Sequence, residues 1–255
     1  MNKISIITVV YNDEKRISET IKSVYNQNYN NLEYIIIDGH SSDNTIKTIK
    51  AINCKIDHLI SEPDKGIYDA MNKGVKNASG DWILFLNAGD TFYNENTLSD
   101  IFNFKDLDLY DVIYGRHMWD YKSFKKESSE RPLELMYKTL PFCHQASITK
   151  RTLLLKYPFN LHFKIIADYD FFRKVYFKKA NFMYCPVVFV NYLCTGGVSS
   201  NNMIKLYLEN FEITKDLFIL TRFSRLIKNI IRYELTICVK TLLPNYLIQL
   251  IRRSI

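Results

Sequence analysis

The first 115 residues alternate short apolar runs with segments in which apolar residues recur every three or four positions. The apolar runs predict strands at 4–10, 33–38, 57–60, 82–87 and 111–115. The helical spacing predicts helices that carry Ile17, Ile21 and Val24, that start near 41–43, and that span 64–77. Asn12 or Asp13 is expected to cap the first of them. Near-continuous apolar strands separated by helices predict an α/β fold whose mostly parallel sheet has helices on both faces.

The pattern changes after residue 115. The segment 116–132 is polar and predicts a loop or irregular strands, and a less regular half follows it up to about residue 200. From 203 onwards apolar residues return at helical spacing, with basic residues between them. We therefore predict a division into residues 1–115, 116–200 and 201–255, the last being an amphipathic basic helical tail.

The net charge of +7 is concentrated in that tail. Residues 215–255 hold eight Lys and Arg against two acidic residues, so +6 belongs to the tail and +1 to the rest. An apolar and basic helix of this kind is typical of a segment lying on an anionic membrane. A helix packed on the domain, or a contact within a homo-oligomer, remains an alternative. No basic face with interleaved aromatic residues runs across the body, so no nucleic-acid partner is expected.

Several other classes find little support in the chain. The five cysteines contain no C-x-x-C pair and favour a reduced, cytoplasmic protein. The amino terminus fits a strand better than a signal peptide, and no run of 18 apolar residues predicts a spanning helix. Neither a Walker loop nor a G-x-G-x-x-G motif is present. GHSSD (39–43) begins like a nucleophile elbow but ends in Asp43, which disfavours a hydrolase.

Polar residues follow three of the predicted strands where each one ends. These strand ends carry Tyr11-Asn12, Asp38-Gly39 and Asn87-Ala88-Gly89-Asp90. Ligands of open α/β sheets bind at the carboxyl ends of the strands, although such residues are also common in ordinary turns and caps. Asp38 is placed to hydrogen-bond a nucleoside. Asp90 is placed to hold Mg²⁺ or Mn²⁺ together with substrate phosphates.

The order of these motifs resembles glycosyltransferase family 2, whose members have the GT-A fold and invert the transferred sugar. The resemblance covers roughly residues 3–200. It rests on SIITVVYND, IIIDGHSSDNT, the stretch from SEPDKGIYDAMNKG to LNAGD, HQAS and ADYDF. The DKGIYDAMNKG…LNAGD run is similar to the branch that acts in bacterial surface polysaccharide synthesis.

The resemblance implies a role for each matching residue. It implies a nucleotide-sugar pocket lined by Val9, Tyr11, Asn12, Asp38, Asp64, Asp69, Asn72 and Asn87. Asp168 would be the general base, His144 and Gln145 would approach the sugar or acceptor, and Asp90 would bind the metal. Gly89 stands where many relatives have a second aspartate, and Ala167 where many have glutamate. Without the resemblance, Asp168 reads as a first-turn helix acid and His144 as a core histidine.

The expected activity is therefore inverting transfer of a sugar, from a UDP-sugar by preference, to a glycan or lipid-linked oligosaccharide. The product would belong to O-antigen, capsule or exopolysaccharide synthesis, on the inner face of the cytoplasmic membrane. A catalytically inactive nucleotide-sugar-binding scaffold is the first alternative. A nucleotidyltransferase is the second, although VVYNDEKR lacks the glycine-rich loop expected of one. The expected transferase activity requires Asp90 and Asp168 to face the same crevice.

Overall fold

The computed structural model describes residues 2–121, 123–194, 202–215 and 224–234. The chain forms two compact units, residues 1–194 and 195–255. The first unit is built on one nine-stranded sheet. The strands are β1 Ile4–Val10, β2 Leu32–Asp38, β3 His58–Ser61, β4 Trp82–Phe85, β5 Thr91–Phe92, β6 Val112–Asp120, β7 Lys125–Glu127, β8 Ser147–Lys150 and β9 Phe182–Leu193. The helices are α1 Ile17–Tyr25, α2 Thr45–Ala51, α3 Ile67–Asn77, α4 Thr97–Phe102, α5 Arg151–Lys156 and α6 Ala167–Phe177.

The sheet is parallel in its first half and mixed in its second. Its order is β3-β2-β1-β4-β8-β6-β9-β5, with β7 beside β6. Strands β1 to β4 run parallel, β8 runs antiparallel to both of its neighbours, and β6 and β9 are parallel again. The predicted α/β fold is confirmed. Because β1, β2 and β4 run the same way, their carboxyl ends meet at one edge.

The core explains why the early strands are almost uninterrupted apolar runs. Every residue of β1 and all but the first of β2 are buried, as strands covered on both faces must be. α1 buries Ile17, Ile21 and Val24, the stripe that the spacing predicted. α3 buries Tyr68, Ala70, Met71, Gly74 and Val75.

The predicted cap of α1 is wrong. The helix begins at Ile17, with Arg16 at the N-cap position. Asn12 has a φ of 49° and its side-chain oxygen accepts the N–H of Ser42 at 2.8 Å. The carbonyl of Asp13 accepts the N–H groups of Arg16 and Ile17. A turn therefore separates β1 from α1, which leaves Asn12 at the sheet edge.

The other helices also begin later than expected. α2 starts at Thr45, and α3 starts at Ile67 after Gly66, whose φ is 116°. Glycine adopts that backbone angle without the steric cost that a side chain would add. Residues 62–66 therefore form a loop at the site edge rather than the first turn of α3.

The polar segment after residue 115 contains the end of a long strand. β6 continues to Asp120 and pairs with β9 along its whole length, with the register slipping around Gly115. A Cβ at Gly115 would lie 2.4 Å from the ring of Phe189, so a glycine is required where the two strands come this close.

The second unit contains α7, Met203–Ile213, and α8, residues 224–234. These segments are helical, as predicted for the tail. The rest of the predicted tail lies outside the described residues. Among the helices of the described ranges, none combines the length and the apolar character that crossing a bilayer requires.

Candidate active site

The carboxyl ends of β1, β2 and β4 are joined directly by backbone hydrogen bonds. The N–H of Gly39 donates to the carbonyl of Val10 at 2.9 Å, and that of Ala88 donates to the carbonyl of Val9 at 3.3 Å. The three polar strand ends are therefore neighbours in space. Val9 itself is buried, so only its backbone reaches this edge.

The buried Asp38 side chain holds together the turns at this edge. It accepts hydrogen bonds from the N–H of Ser41 at 3.0 Å and the hydroxyl of Ser61 at 2.7 Å. The Ser41 hydroxyl in turn accepts the N–H of Asn12 at 2.8 Å. Asp38 therefore fixes the turn after β2 against the turn after β1.

Tyr11, Gly39 and Asp64 form the open part of the same edge. A Cβ at Gly39 would lie 2.5 Å from Oδ2 of Asp64 and 3.3 Å from the ring of Tyr11, so the three residues are in close contact. The Tyr11 side chain is 64% exposed. An exposed aromatic ring beside a carboxylate can stack on a base while the acid accepts a hydrogen bond from that base.

The remaining donor-site residues lie on α3 and the loop before it. Asp64 accepts the N–H of Gly66 at 2.8 Å, and Asp69 accepts that of Lys65 at 3.0 Å, so both carboxylates shape the loop. The amide of Asn72 makes two hydrogen bonds with the backbone of Phe159, at 2.9 and 3.0 Å. Asn72 therefore ties α3 to the segment before α6.

Asp90 follows a turn that only glycine fits well. Gly89 has a φ of 95°, and a Cβ there would lie 3.2 Å from Leu193 and 3.4 Å from Arg16. Thr20 secures the turn, because its hydroxyl accepts the N–H of Gly89 at 2.9 Å and donates to the carbonyl of Asp90 at 2.8 Å.

The Asp90 carboxylate is 4% exposed. Its Oδ1 accepts the N–H of Leu193 at 2.9 Å and its Oδ2 accepts the side-chain amide of Gln145 at 3.2 Å. Burial raises the pKa of Asp90 to about 7, although these bonds and the charges of His144 and Arg16 oppose the rise. A buried acid with such a pKa is one that a cation could hold ionised.

Asp168 lies in the first turn of α6. Its Oδ1 accepts the N–H of Tyr169 at 2.9 Å and lies 3.0 Å from the hydroxyl of Tyr68, and its Oδ2 lies 2.7 Å from Nδ1 of His144. Burial by itself would raise the pKa of Asp168. The charge and hydrogen bond of His144, with those two further bonds, lower it below the ordinary value. Asp168 is therefore held as a carboxylate, the form that can take a proton.

Two consecutive residues join the acids. His144 holds Asp168 and Gln145 holds Asp90, from the single 3₁₀ turn His144–Ala146. Asp90 and Asp168, 78 positions apart in the chain, therefore meet on either side of this turn.

Two polar atoms at this edge have no partner. Oδ1 of Asn87 and Nε2 of His144 are buried without a hydrogen bond. Buried polar atoms are nearly always paired, so unpaired ones in a cluster indicate a place where a ligand completes the bonding.

The residues fit a divalent cation that is shared with a ligand. Asp90 supplies one carboxylate, and the unpaired Asn87 oxygen lies three positions earlier on the same turn. Among the residues with described positions, no group of three or more His, Cys, Asp or Glu side chains is arranged to hold a metal. The donor set matches the Mg²⁺ and Mn²⁺ sites in which substrate phosphates supply the remaining oxygens.

Three residues of the site were missed in the sequence. Thr20 holds the Asp90 turn, Tyr68 holds Asp168, and Arg16 makes a two-point contact with Asp13 at 2.7 and 2.8 Å beside Gly89. Tyr68 could have been suspected because it lies inside the specific DKGIYDAMNKG run. Nothing in the local pattern distinguishes Thr20 or Arg16 from ordinary residues of an amphipathic helix.

A mostly parallel α/β sheet in this strand order is the GT-A fold. The chain belongs to glycosyltransferase family 2, because the family described as "Glycosyl transferase family 2" matches residues 5–181. It is 31% identical over 216 residues to a "PGL/p-HBAD biosynthesis glycosyltransferase" of Mycobacterium bovis (strain BCG / Pasteur 1173P2), covering 82% of this chain and 84% of the relative. The protein is therefore a glycosyltransferase.

Another relative and two solved structures extend the comparison. The "Dolichyl N-acetyl-alpha-D-glucosaminyl phosphate 3-beta-D-2,3-diacetamido-2,3-dideoxy-beta-D-glucuronosyltransferase" of Methanococcus voltae is 39% identical over 95 residues, 34% of this chain and 29% of the relative. Residues 1–349 of S. aureus TarS, in complex with UDP-GlcNAc, superimpose with a TM-score of 0.68 at 20% identity, covering 89% of this chain and 71% of that one. The chain spans 41% of the longer TarS chain. PcManGT from Pyrobaculum calidifontis, solved with GDP-Man and Mn²⁺, gives 0.65 at 18% identity, covering 88% and 70%. These structures share the fold.

Proposed function

We propose that this glycosyltransferase moves a sugar from a nucleoside diphosphate, UDP by preference, to a hydroxyl of a glycan or lipid-linked oligosaccharide, with inversion at the anomeric carbon. The bridge from Asp168 through His144 and Gln145 to Asp90 carries the proposal. Inverting transfer needs a base on one side of the sugar and a charge-neutralising site for the leaving group on the other. The two acids supply these roles.

The donor would lie along the sheet edge. Tyr11 is exposed for stacking on the base, with the Asp64 carboxylate beside it as an acceptor, while the buried Asp38 holds the turns that carry this edge. The nucleoside would then lead its diphosphate towards Asp90, where the Arg16 guanidinium adds positive charge. The side-chain oxygen of Asn87 has no hydrogen bond and would accept one from a sugar hydroxyl or bind the cation.

Asp168 would act as the general base. Each carboxylate oxygen has two lone-pair positions, so Oδ2 can accept a second proton donor while His144 stays in place. The acceptor oxygen bonds to the anomeric carbon, its proton passes to Asp168, and the bond from that carbon to the diphosphate oxygen breaks with its electrons on the diphosphate. General-base help of this kind contributes on the order of 10²–10⁴-fold.

A divalent cation held by Asp90 and the diphosphate would neutralise the leaving group when bound. PcManGT, which shares the fold, binds Mn²⁺ together with its sugar nucleotide, and this supports the same proposal here. The relatives' names concern glycolipid synthesis and a dolichyl phosphate acceptor, which favours a lipid-linked acceptor over a free sugar. Bacterial O-antigen, capsule or exopolysaccharide synthesis is the setting we propose.

The decisive test compares Asp168→Asn with Asp170→Asn, which alters a second acid in the same turn of α6. Transfer and donor hydrolysis would be measured with a panel of UDP-, GDP- and dTDP-sugars, with and without Mn²⁺. We expect Asp168→Asn to lose at least 100-fold in turnover while binding UDP normally, and Asp170→Asn to stay within threefold. Equal rates for wild type and Asp168→Asn would remove the assigned base. No turnover by wild type with any sugar would favour the inactive-scaffold alternative.

We also propose that residues 203–255 place the enzyme on the inner face of the cytoplasmic membrane. Ile204 and Leu208 of α7 are about half exposed, as are Ile227 and Ile231 of α8. Lys228 directly follows Ile227, and Arg232 directly follows Ile231. Apolar side chains with neighbouring cations are the pattern of an interfacial helix.

Vesicle sedimentation of the full chain tests this placement. Ile227→Asn/Ile231→Asn should release the protein from phosphatidylglycerol vesicles, whereas wild type should sediment with them and not with phosphatidylcholine. Lys47→Gln/Lys50→Gln on α2 is a control that changes charge without touching the tail. Sedimentation of the double Asn variant at the wild-type level would contradict membrane placement.

A further inference from the structure

Three aromatic side chains, His117, Trp119 and Tyr192, form a cluster on β6 and β9, which we call the aromatic corner. Trp119 of β6 and Tyr192 of β9 are paired neighbours in the sheet, and their rings meet edge to face, 5.6 Å apart at 88°. His117, two positions before Trp119 and therefore on the same face, meets the Trp119 ring at 4.4 Å and 73°. Both large rings are partly accessible.

The corner adjoins the site along β9. Tyr192 precedes Leu193, whose N–H is bonded to Asp90. Burial raises the pKa of Tyr192, and nearby acidic groups, Asp90 and Asp168 among them, raise it further. Its hydroxyl therefore keeps its proton. No residue in the described part of the chain hydrogen-bonds that hydroxyl, so it is available to a ligand.

His117 supports the corner from behind. It is 6% exposed, neither ring nitrogen has a hydrogen bond, and burial lowers its pKa to about 4. It is therefore a neutral ring at physiological pH. Packed edge-on against Trp119, it fixes the orientation of that ring.

We propose that Trp119 and Tyr192 form the acceptor subsite, in which a pyranose ring of the acceptor lies against Trp119 and hydrogen-bonds the Tyr192 hydroxyl. This inference rests on the proposed function and names the acceptor end of that site. A pyranose has an apolar face of C–H groups that suits an aromatic ring and an edge of hydroxyls that suits a phenol. A ring held there lies next to the strand end that bonds Asp90, and the His144–Gln145 turn connects Asp90 to Asp168, which has to receive the acceptor proton.

Binding can be measured without turnover by tryptophan fluorescence. The chain has two tryptophans, and Trp82 is only 1% exposed, so a ligand-dependent change in emission reports on Trp119. The probes are octyl glucoside, galactoside, mannoside and rhamnoside, with 1-octanol as the control that lacks a sugar. We expect at least one pyranoside, below its micelle concentration, to change Trp119 emission saturably, and octanol to leave it unchanged. No saturable change with any pyranoside, or an equal change with octanol, would overturn the subsite.

Variants then separate the subsite from the rest of the site. Calorimetry with the responding pyranoside should show about 10-fold weaker binding for Trp119→Leu and about 3- to 10-fold for Tyr192→Phe. UDP binding should stay within twofold in both. Tyr25→Ala is the matched control, since this exposed tyrosine ends α1, which runs back from the site edge.

Tyr192→Phe removes a single oxygen, so it tests the proposal even if Trp119→Leu folds poorly. Wild-type pyranoside affinity in Tyr192→Phe and Trp119→Leu would overturn the subsite while leaving the transferase proposal intact. Absence of turnover with every nucleotide sugar, together with pyranoside binding at Trp119, would overturn the transferase proposal and leave the subsite.

Discussion

Nδ1 of His144 lies 2.7 Å from Oδ2 of Asp168, within a site where burial would otherwise favour the neutral acid. The imidazole thus fixes the orientation of the carboxylate and keeps it ionised. Because Tyr68 and the N–H of Tyr169 hold the other oxygen, Asp168 has one fixed geometry. His144 is therefore a positioning residue for the proposed base.

Replacing His144 should impair turnover more than donor binding. In His144→Asn the pKa of Asp168 should rise, because the main group that lowers it is gone. We expect kcat to fall about 10- to 100-fold, the donor KM to stay within threefold, and the acid limb of the kcat profile to move to higher pH. Steady-state kinetics between pH 5 and 9 measure all three.

The exposed His162 provides the control for that experiment. His162→Asn should retain wild-type kinetics. An unshifted acid limb in His144→Asn, with a normal kcat, would show that His144 does not hold the base.

Metal binding should compete with a proton on Asp90. The folded-state pKa of about 7 lies above the ordinary 3.8, so without metal the stability contributed by this group falls as pH rises from about 4 to about 7. Asp90→Asn should therefore melt at a higher temperature than wild type at pH 8 without metal. Melting curves at pH 5 and pH 8 measure the difference, which should shrink at pH 5.

Asp90→Asn also tests whether the cation binds at Asp90, when melting temperatures are compared with and without Mn²⁺. Mn²⁺ with UDP should raise the melting temperature of wild type more at pH 8 than at pH 6, and should leave Asp90→Asn unchanged. An equal Mn²⁺ shift in both proteins would contradict the assignment of the cation to Asp90.

Gly89 should not accept the second aspartate that many relatives have there. Its φ of 95° disfavours any side chain, and a Cβ would be only 3.2 Å from Leu193 and 3.4 Å from Arg16. We expect Gly89→Ala and Gly89→Asp to lose about 1–3 kcal/mol of unfolding free energy. Urea denaturation measures it. Ala88→Gly is the control and should lose less, and an unaffected Gly89→Asp would refute the steric argument.

Glu33 should govern acid stability without affecting catalysis. It begins β2 at the edge opposite the site, and bonds from Ser5 and Ser79 lower its pKa to about 2 against the effect of burial. A lowered pKa contributes stability above pH 4.5 that is lost as pH falls towards 2.

Glu33→Gln should therefore cost about 1–2 kcal/mol at pH 7, allowing for partial solvent screening, and little at pH 2.5. Its kcat/KM should equal that of wild type at 25 °C. Unfolding curves at both pH values and one kinetic assay suffice. A loss of stability that is the same at pH 7 and pH 2.5 would show that the charge of Glu33 is not responsible.

The early strands could be located from the sequence because burial on both faces of the sheet requires an uninterrupted run of apolar residues. A strand such as β1 must be apolar at every position, and the apolar stripe of α1 follows from the helical repeat. Helix starts were less predictable. Asn12 and Asp13 look like caps, but contacts 29 and 30 residues away, with Ser41 and Ser42, hold Asn12 in the β1 turn instead.

The surroundings of Trp119 could not be predicted from the sequence. Its segment is polar in sequence and predicted a loop or irregular strands, and the structure pairs it with β9, whose residues lie about 70 positions later. No local pattern contains a partner that far along the chain. The aromatic corner follows from that pairing alone.

The sequence by itself determined the α/β class, the strand ends that carry Asp38 and Asp90, and, through its resemblance to a family, the acid at Asp168. These features depend on local burial and on short motifs. Only the tertiary structure decided that one turn, His144–Gln145, joins the two acids and that Tyr68, Thr20 and Tyr192 converge on them. Those relationships are set by chain folding between distant segments, and their free energies depend on burial, which no residue has until the sheet has formed.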